Sequence, residues 1–133
     1  MPRLPKSVCH EKRPARARKL EPLVAGHGRK PDNLTTTTAV LNEVYRERQA
    51  QAKKWGLQDH PDGTDIAYKG LRNHYQMVCD IHHTTGKGTW LDILMEETYE
   101  AFTEENETSL RAELVQCAAV TIAWIEAIDR RKP

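Results

Sequence analysis

Acidic side chains interrupt two apolar stretches near the end of this chain, and this pattern restricts the fold more than any other feature. The first stretch contains Glu96, Glu97 and Glu100, and the second contains Glu113 followed by Gln116. An isolated carboxylate in a protein core is very unfavourable unless it is protonated, paired with a cation or bound to a metal ion. The fold must therefore either keep these side chains protonated or provide a positive partner for them.

Both stretches have the periodicity of α-helices, and we predict helices over residues 90–102 and 110–128. At about 100° per residue, Glu97 falls inside the apolar arc of the first helix and Glu100 falls at its edge. The second helix is apolar on all sides, which is typical of a buried helix. Glu113 then has no solvated face available.

The polar residues 103–109 separate the two helices and predict an antiparallel hairpin. Glu100 and Glu113 are nearly equidistant from the turn, so we expect them to lie opposite each other, as should Glu97 and Gln116. Three carboxylates and one amide then converge. Acidic runs on helices more often form solvated faces, but the second cluster and the apolar surroundings favour a metal site. All-oxygen ligation suits Mg²⁺ or Mn²⁺.

These residues resemble the helix-loop-helix core of MazG-like all-α nucleoside triphosphate pyrophosphohydrolases. That family has a Glu-Glu-x-x-Glu motif followed, after a variable spacer, by Glu-x-x-Asp, which is similar to residues 96–100 and 113–116. Residues 54–64 also resemble segments of MazG-like proteins from bacteriophages and actinobacteria, so the resemblance covers residues 36–131. It implies a metal-dependent enzyme that cleaves a ribo- or deoxyribonucleoside triphosphate between its α and β phosphates, releasing a nucleoside monophosphate and pyrophosphate.

The resemblance also implies roles for the motif residues. The metal ligands would be Glu97, Glu100, Glu113 and Gln116. Glu96 would orient or deprotonate the attacking water, because it adjoins the ligands without sharing their face.

One position departs from the family pattern, since Gln116 stands where the family has aspartate. A literal Glu-x-x-Asp occurs at residues 126–129. Those residues lie about 20 to 24 Å along the helix from Glu113, which is level with Glu100, so the hairpin geometry rejects them. Gln116 would be either a weaker neutral ligand or a hydrogen-bond partner of the ligands. Glu96, Asp92 or water could fill the missing position.

Residues for binding the rest of a nucleotide are less strongly indicated. Arg111 and Lys87 are candidates for contacting the phosphates, although most arginines and lysines on helices and loops are simply solvated. Aromatic rings can stack on a base, and amides and imidazoles can read its edge. The candidates for base binding are Trp55, Gln58, His60 and Trp90. For the tryptophans, packing in the hairpin is the competing interpretation.

Charge is distributed unevenly although the formal net charge is only +1. Residues 1–33 contain nine Lys or Arg against three acidic residues, so they carry a net +6 and leave about −5 for residues 34–133. They also contain five of the seven prolines, which predicts a mobile arm. Contact with nucleic acid is conceivable only through this arm, which lacks aromatic residues for stacking. No long apolar run predicts a signal peptide or a membrane span, and the odd cysteine count fits reduced thiols, so we expect a cytoplasmic protein.

Two more helices are predicted upstream. The first should follow the N-cap candidates at residues 35–38 and end at Gly56, and the second should span residues 66–83. Asn106 is among the N-cap candidates for the last helix. We therefore predict an all-α, four-helix MazG-like bundle over residues 34–133.

An apolar last helix in a four-helix chain needs further cover, so we expect a homodimer or a dimer of dimers. Three functional classes remain open at this point. They are the pyrophosphohydrolase, a nucleotide-binding protein that lost catalysis at Gln116, and a helical interaction protein.

Overall fold

A computed structural model describes residues 33–133 of the chain. This part contains four α-helices and a short 3₁₀ turn, and it contains no strand, so the all-α, four-helix prediction is confirmed. The helices are α1 (Asn33–Trp55), α2 (Lys69–Thr84), α3 (Trp90–Phe102) and α4 (Glu107–Asp129), and the 3₁₀ turn spans Ile66–Tyr68. The predicted mobile basic arm, with its possible nucleic-acid contact, lies outside the described residues except for its last position.

Local sequence signals account for most helix ends. Gly56 ends α1 with a φ of 68°, a left-handed conformation that favours glycine, and its N–H donates to the Ala52 carbonyl. The helix α3 has the predicted bounds. The helix α4 begins three residues before the predicted position, because the Asn106 side chain accepts hydrogen bonds from the backbone N–H groups of Thr108 and Ser109.

Two predicted helix starts differ from the structure. The helix α1 begins at Asn33, so the threonines at residues 35–38 form part of its first turns instead of preceding it. The predicted helix over residues 66–83 is divided into the 3₁₀ turn and α2. The Asp65 side chain accepts from the Ala67 N–H, which favours a tight first turn.

The helices pack in a chain of pairs. Within residues 33–133, α3 lies between α2 and α4 and contacts both, whereas α1 contacts only α4. The Thr37 hydroxyl donates to the Glu126 carboxylate, which places the start of α1 against the C-terminal half of α4. No helix in this part of the chain is long and apolar enough to cross a membrane.

The helix α4 has the apolar pattern of a buried helix, but it is partly exposed in the single chain. Leu114 is 51% exposed, Val115 is 54% exposed, and Gln116 is also exposed. The helix α3 covers one side of α4, and α1 contacts its C-terminal half, so a face of the N-terminal half has no helix against it among residues 33–133. Within residues 36–133 the buried apolar side chains are few: Val40, Cys79, Ala101, Leu110 and Ala127.

The contact between α2 and α3 includes an aromatic stack and a polar pair. The rings of Tyr75 and Tyr99 are stacked with their centroids 4.6 Å apart. Near the other end of the interface, His82 Nδ1 lies 2.9 Å from Asp92 Oδ1. Asp92 also forms a capping box with Thr89 at the start of α3. These contacts hold α2 and α3 antiparallel.

Asp92→Asn is expected to destabilise the protein by about 1 to 2 kcal/mol at pH 7, because it weakens the cap of α3 and the pairing with His82. Burial acts to raise the pKa of Asp92, but hydrogen bonds from Thr89 and His82 outweigh it and hold the pKa below its ordinary value of 3.8. The stabilisation is therefore complete above pH of about 4 and is lost as the pH falls through the lowered pKa. Urea unfolding across pH 3 to 7 measures the difference from wild type.

The matched control for this experiment is Asp59→Asn, because Asp59 is exposed in the loop after α1. We expect its free energy of unfolding to stay within about 0.5 kcal/mol of wild type. A difference for Asp92→Asn that does not shrink at acidic pH would contradict the assigned role of the carboxylate.

Candidate metal centre

Three glutamates from α3 and α4 converge. One carboxylate oxygen from each of Glu97, Glu100 and Glu113 can be chosen so that all three lie within 4.8 Å of one another. Glu97 and Glu100 stand three residues apart on α3, so they share a face of that helix, and Glu113 meets them from α4. The hairpin geometry predicted this grouping correctly.

The end of α3 that carries Glu100 is held by several hydrogen bonds. The Thr103 hydroxyl, in a residue that is 4% exposed, donates to the Glu100 carbonyl at 2.9 Å. The loop after α1 is tied to the same end, because the Asp65 N–H donates to the Phe102 carbonyl and the Thr64 hydroxyl donates to the Glu104 carbonyl. These hydrogen bonds hold the backbone from Glu100 to Glu104 from two directions.

The negative charges of this cluster affect Cys117, one helical turn beyond Glu113 on α4. The pKa of the Cys117 thiol is raised, first by burial and then by the negative charges of Glu97 and Glu113, while a hydrogen bond with Thr98 acts to lower it. One oxygen of the Glu97 carboxylate is shielded from solvent. The helix α3 contains no Lys or Arg to offset this charge.

Gln116 lies beside the cluster as a hydrogen-bond partner. Its amide Nε2 donates to Glu113 Oε2 at 2.7 Å, which corresponds to the second of its two predicted roles. The Gln116 side chain is exposed in the single chain, although the apolar pattern of this helix is typical of a buried one.

The donor set fits a hard divalent cation. Oxygens on one octahedral Mg²⁺ ion, with metal–oxygen distances of about 2.1 Å, are about 3.0 Å apart when adjacent and about 4.2 Å apart when opposite. Small side-chain rotations bring three oxygens that already lie within 4.8 Å into this range. Carboxylate oxygens favour Mg²⁺ or Mn²⁺ over softer metals.

Glu96 and Asp92, the two carboxylates predicted as substitutes for a ligand at position 116, do not join the cluster of three. Glu96 is 1% exposed and projects about 100° round α3 from Glu97. Asp92 is engaged by Thr89 and His82 at the start of the helix. Neither residue therefore supplies a fourth carboxylate to the group.

The structure does not bring the predicted phosphate contacts to the three glutamates. Arg111 lines an open groove of about 260 Å³ with Asp62, Glu107, Leu110 and Leu114. It projects about 200° round α4 from Glu113, so the two side chains leave the helix on nearly opposite sides. Lys87 is exposed in the loop before α3, and the start of that helix is about 10 Å along its axis from Glu97.

The predicted base-binding residues are spread over three elements. Trp55 is the last residue of α1 and is 53% exposed, and the Lys54 ammonium lies 4.9 Å from its ring centroid. Gln58 and His60 are exposed in the loop after α1. Trp90 is the first residue of α3, about two helical turns from Glu97.

A group of aromatic rings was missed by the sequence reasoning. Tyr99, the neighbour of Glu100, stacks on Tyr75 and meets Phe102 edge-on at 5.4 Å between centroids, and Phe102 lies 6.0 Å from Tyr68. The adjacency of Tyr99 to the acidic motif was the available signal. Its partners depend on how α2 and α3 are aligned, which the sequence pattern did not give.

Comparisons with known proteins add no relative to this description. No protein-family model, no curated protein and no solved structure matches the chain.

Proposed function

We propose that this protein is a divalent-metal-dependent nucleoside triphosphate pyrophosphohydrolase, which converts a ribo- or deoxyribonucleoside triphosphate to its monophosphate and pyrophosphate. The observation that supports this most is the convergence of Glu97, Glu100 and Glu113 across the hairpin of α3 and α4. These are the positions at which the motif resembles that of the MazG-like enzymes. A purely solvated acidic face would not require glutamates from two helices to meet at one point.

In the proposed reaction, water adds to the α phosphorus and the bond to the oxygen that bridges the α and β phosphates breaks. Glu97, Glu100 and Glu113 would hold Mg²⁺, which when bound neutralises triphosphate charge and lowers the pKa of a water. Gln116 keeps one Glu113 oxygen oriented through its hydrogen bond. The rigid end of α3 keeps the ligands in place, which limits the reorganisation needed when substrate binds.

We assign no proton transfer to Glu96, although the sequence made it the candidate for activating water. A general base must come within about 2.6 to 3.2 Å of the proton donor it serves. Glu96 is almost completely buried, and one of its carboxylate oxygens is shielded from solvent. This burial fits a structural role.

Release of pyrophosphate from a panel of ribo- and deoxyribonucleoside triphosphates, with Mg²⁺, Mn²⁺ or excess EDTA, tests this function. We expect equal amounts of monophosphate and pyrophosphate with either metal and none with EDTA. Release of inorganic phosphate instead of pyrophosphate, or metal-independent turnover, would exclude the proposed reaction.

A nucleotide-binding protein without catalysis is the second candidate, and Gln116 favours it. An amide in place of the family's aspartate removes one negative charge and leaves three carboxylates in the cluster. In this case the metal-dependent binding of a triphosphate would be measurable by calorimetry while pyrophosphate release stays absent across the panel.

Pairing of subunits is part of the proposal, because the N-terminal half of α4 exposes Leu114 and Val115 in the single chain. We expect light scattering at micromolar concentration to give the mass of a homodimer or of a dimer of dimers. Val115→Glu should shift the mass toward the monomer, since a charge would be buried without a partner. Leu57→Glu is the control, because Leu57 is 93% exposed in the loop after α1. A monomeric wild type would contradict the expectation.

A further inference from the structure

The contact between Gln116 and Glu113 specifies how the amide is turned. The amide nitrogen of Gln116 donates to Glu113 Oε2 at 2.7 Å, as suits an ionised carboxylate, which can only accept hydrogen bonds. The carbonyl oxygen of the same amide is then directed elsewhere. Gln116 could bind a cation beside Glu113 through that oxygen only by rotating its amide and giving up this hydrogen bond.

The negative charge of the cluster limits how many divalent ions it can hold. Three carboxylates meet, and neither Glu96 nor Asp92 is a fourth member. A pair of divalent ions about 3.5 to 4 Å apart needs bridging carboxylates to offset their mutual repulsion. Three glutamates offset less charge than two divalent ions carry, and the amide adds none.

We propose that Gln116 is a positioning residue, which orients Glu113 without binding the metal itself, and that the cluster holds one divalent ion per chain. The inference rests on the metal site of the proposed function and adds to it the stoichiometry and the role of Gln116. Glu113 retains its other oxygen for the ion, while Oε2 is held by the amide.

The experiment is a titration of the full-length protein with Mn²⁺, in which the electron paramagnetic resonance signal of free Mn²⁺ gives the number of bound ions and their affinity. For wild type we expect one ion per chain. Gln116→Leu should keep one ion but weaken binding by about 10-fold, the usual effect of removing a hydrogen bond to a metal ligand. Gln116→Asp should add a second ion, because it adds a carboxylate.

Thermal unfolding without metal separates positioning from a general effect on the fold. Gln116 is exposed, so Gln116→Leu should unfold at the wild-type temperature although its Mn²⁺ affinity falls. Gln49→Leu, at another exposed glutamine on α1, is the matched control and should change neither quantity.

The Mn²⁺ titration gives different results if the proposed function fails and if only the inference about Gln116 fails. If wild type binds no Mn²⁺, both are overturned. If wild type binds Mn²⁺ and Glu97→Gln abolishes this binding, the metal site is supported. In that case, two ions in wild type or an unchanged Mn²⁺ affinity in Gln116→Leu would overturn only the inference about stoichiometry and Gln116.

Discussion

Glu97→Gln and Glu100→Gln are each expected to lower pyrophosphate release by at least about 100-fold, because each replaces a charged metal ligand by a neutral amide of nearly the same size. Loss of a residue that only supports a ligand typically costs about 10- to 100-fold in metal affinity or activity, and loss of the ligand itself should cost more. The two side chains converge with Glu113 on one point of the hairpin. The measurement is the initial rate of pyrophosphate release with saturating Mg²⁺.

A control of the same chemistry is available just beyond α3. Glu105 is exposed in the turn before α4, so Glu105→Gln removes the same charge from the same hairpin without touching the cluster. We expect its rate to stay within about 2-fold of wild type, as is usual for surface changes. If Glu105→Gln lost as much activity as Glu97→Gln, the effect would be general electrostatics, and the assignment of ligands would fail.

The parts of the fold that could be predicted are those determined by residues close together in the sequence. The bounds of α3 and the end of α1 depend on nearby residues, such as the cap at Thr89 and the positive φ of Gly56. The meeting of Glu100 with Glu113 needed only the length of two helices and the position of one turn. Helix caps, turns and helix lengths can be read from nearby residues, so predicting them requires no knowledge of contacts between distant elements.

The features that the sequence did not predict depend on contacts between elements that are distant in the sequence. Periodicity shows which faces of α4 are apolar but not which neighbour covers them, so the exposure of Leu114 and Val115 could not be deduced. Arg111 lies close to the level of Glu113 along α4, yet it projects to the opposite side and lines a groove with Asp62. The stack of Tyr75 on Tyr99 required the alignment of α2 with α3.

The close approach of α3 and α4 depends on a small residue beside the site. Ala101 is completely buried and follows Glu97 by four residues, so the two lie on the same face of α3, the face whose glutamates meet α4. A larger side chain at this position would force the two helices apart or adopt a strained conformation. The spacing that brings Glu113 to the other two glutamates would then be lost.

Ala101→Leu is therefore expected to destabilise the protein by about 1 to 3 kcal/mol and also to weaken Mn²⁺ binding by about 10-fold or more. Ala112→Leu is the matched control, because Ala112 is exposed on α4, and its free energy of unfolding should stay within about 0.5 kcal/mol of wild type. Urea unfolding and Mn²⁺ titration measure the two effects separately. A loss of stability in Ala101→Leu with unchanged Mn²⁺ affinity would show that the glutamates do not need the close packing of the hairpin. The parallel loss of both would establish that the apolar contact between α3 and α4 sets the geometry of the metal ligands.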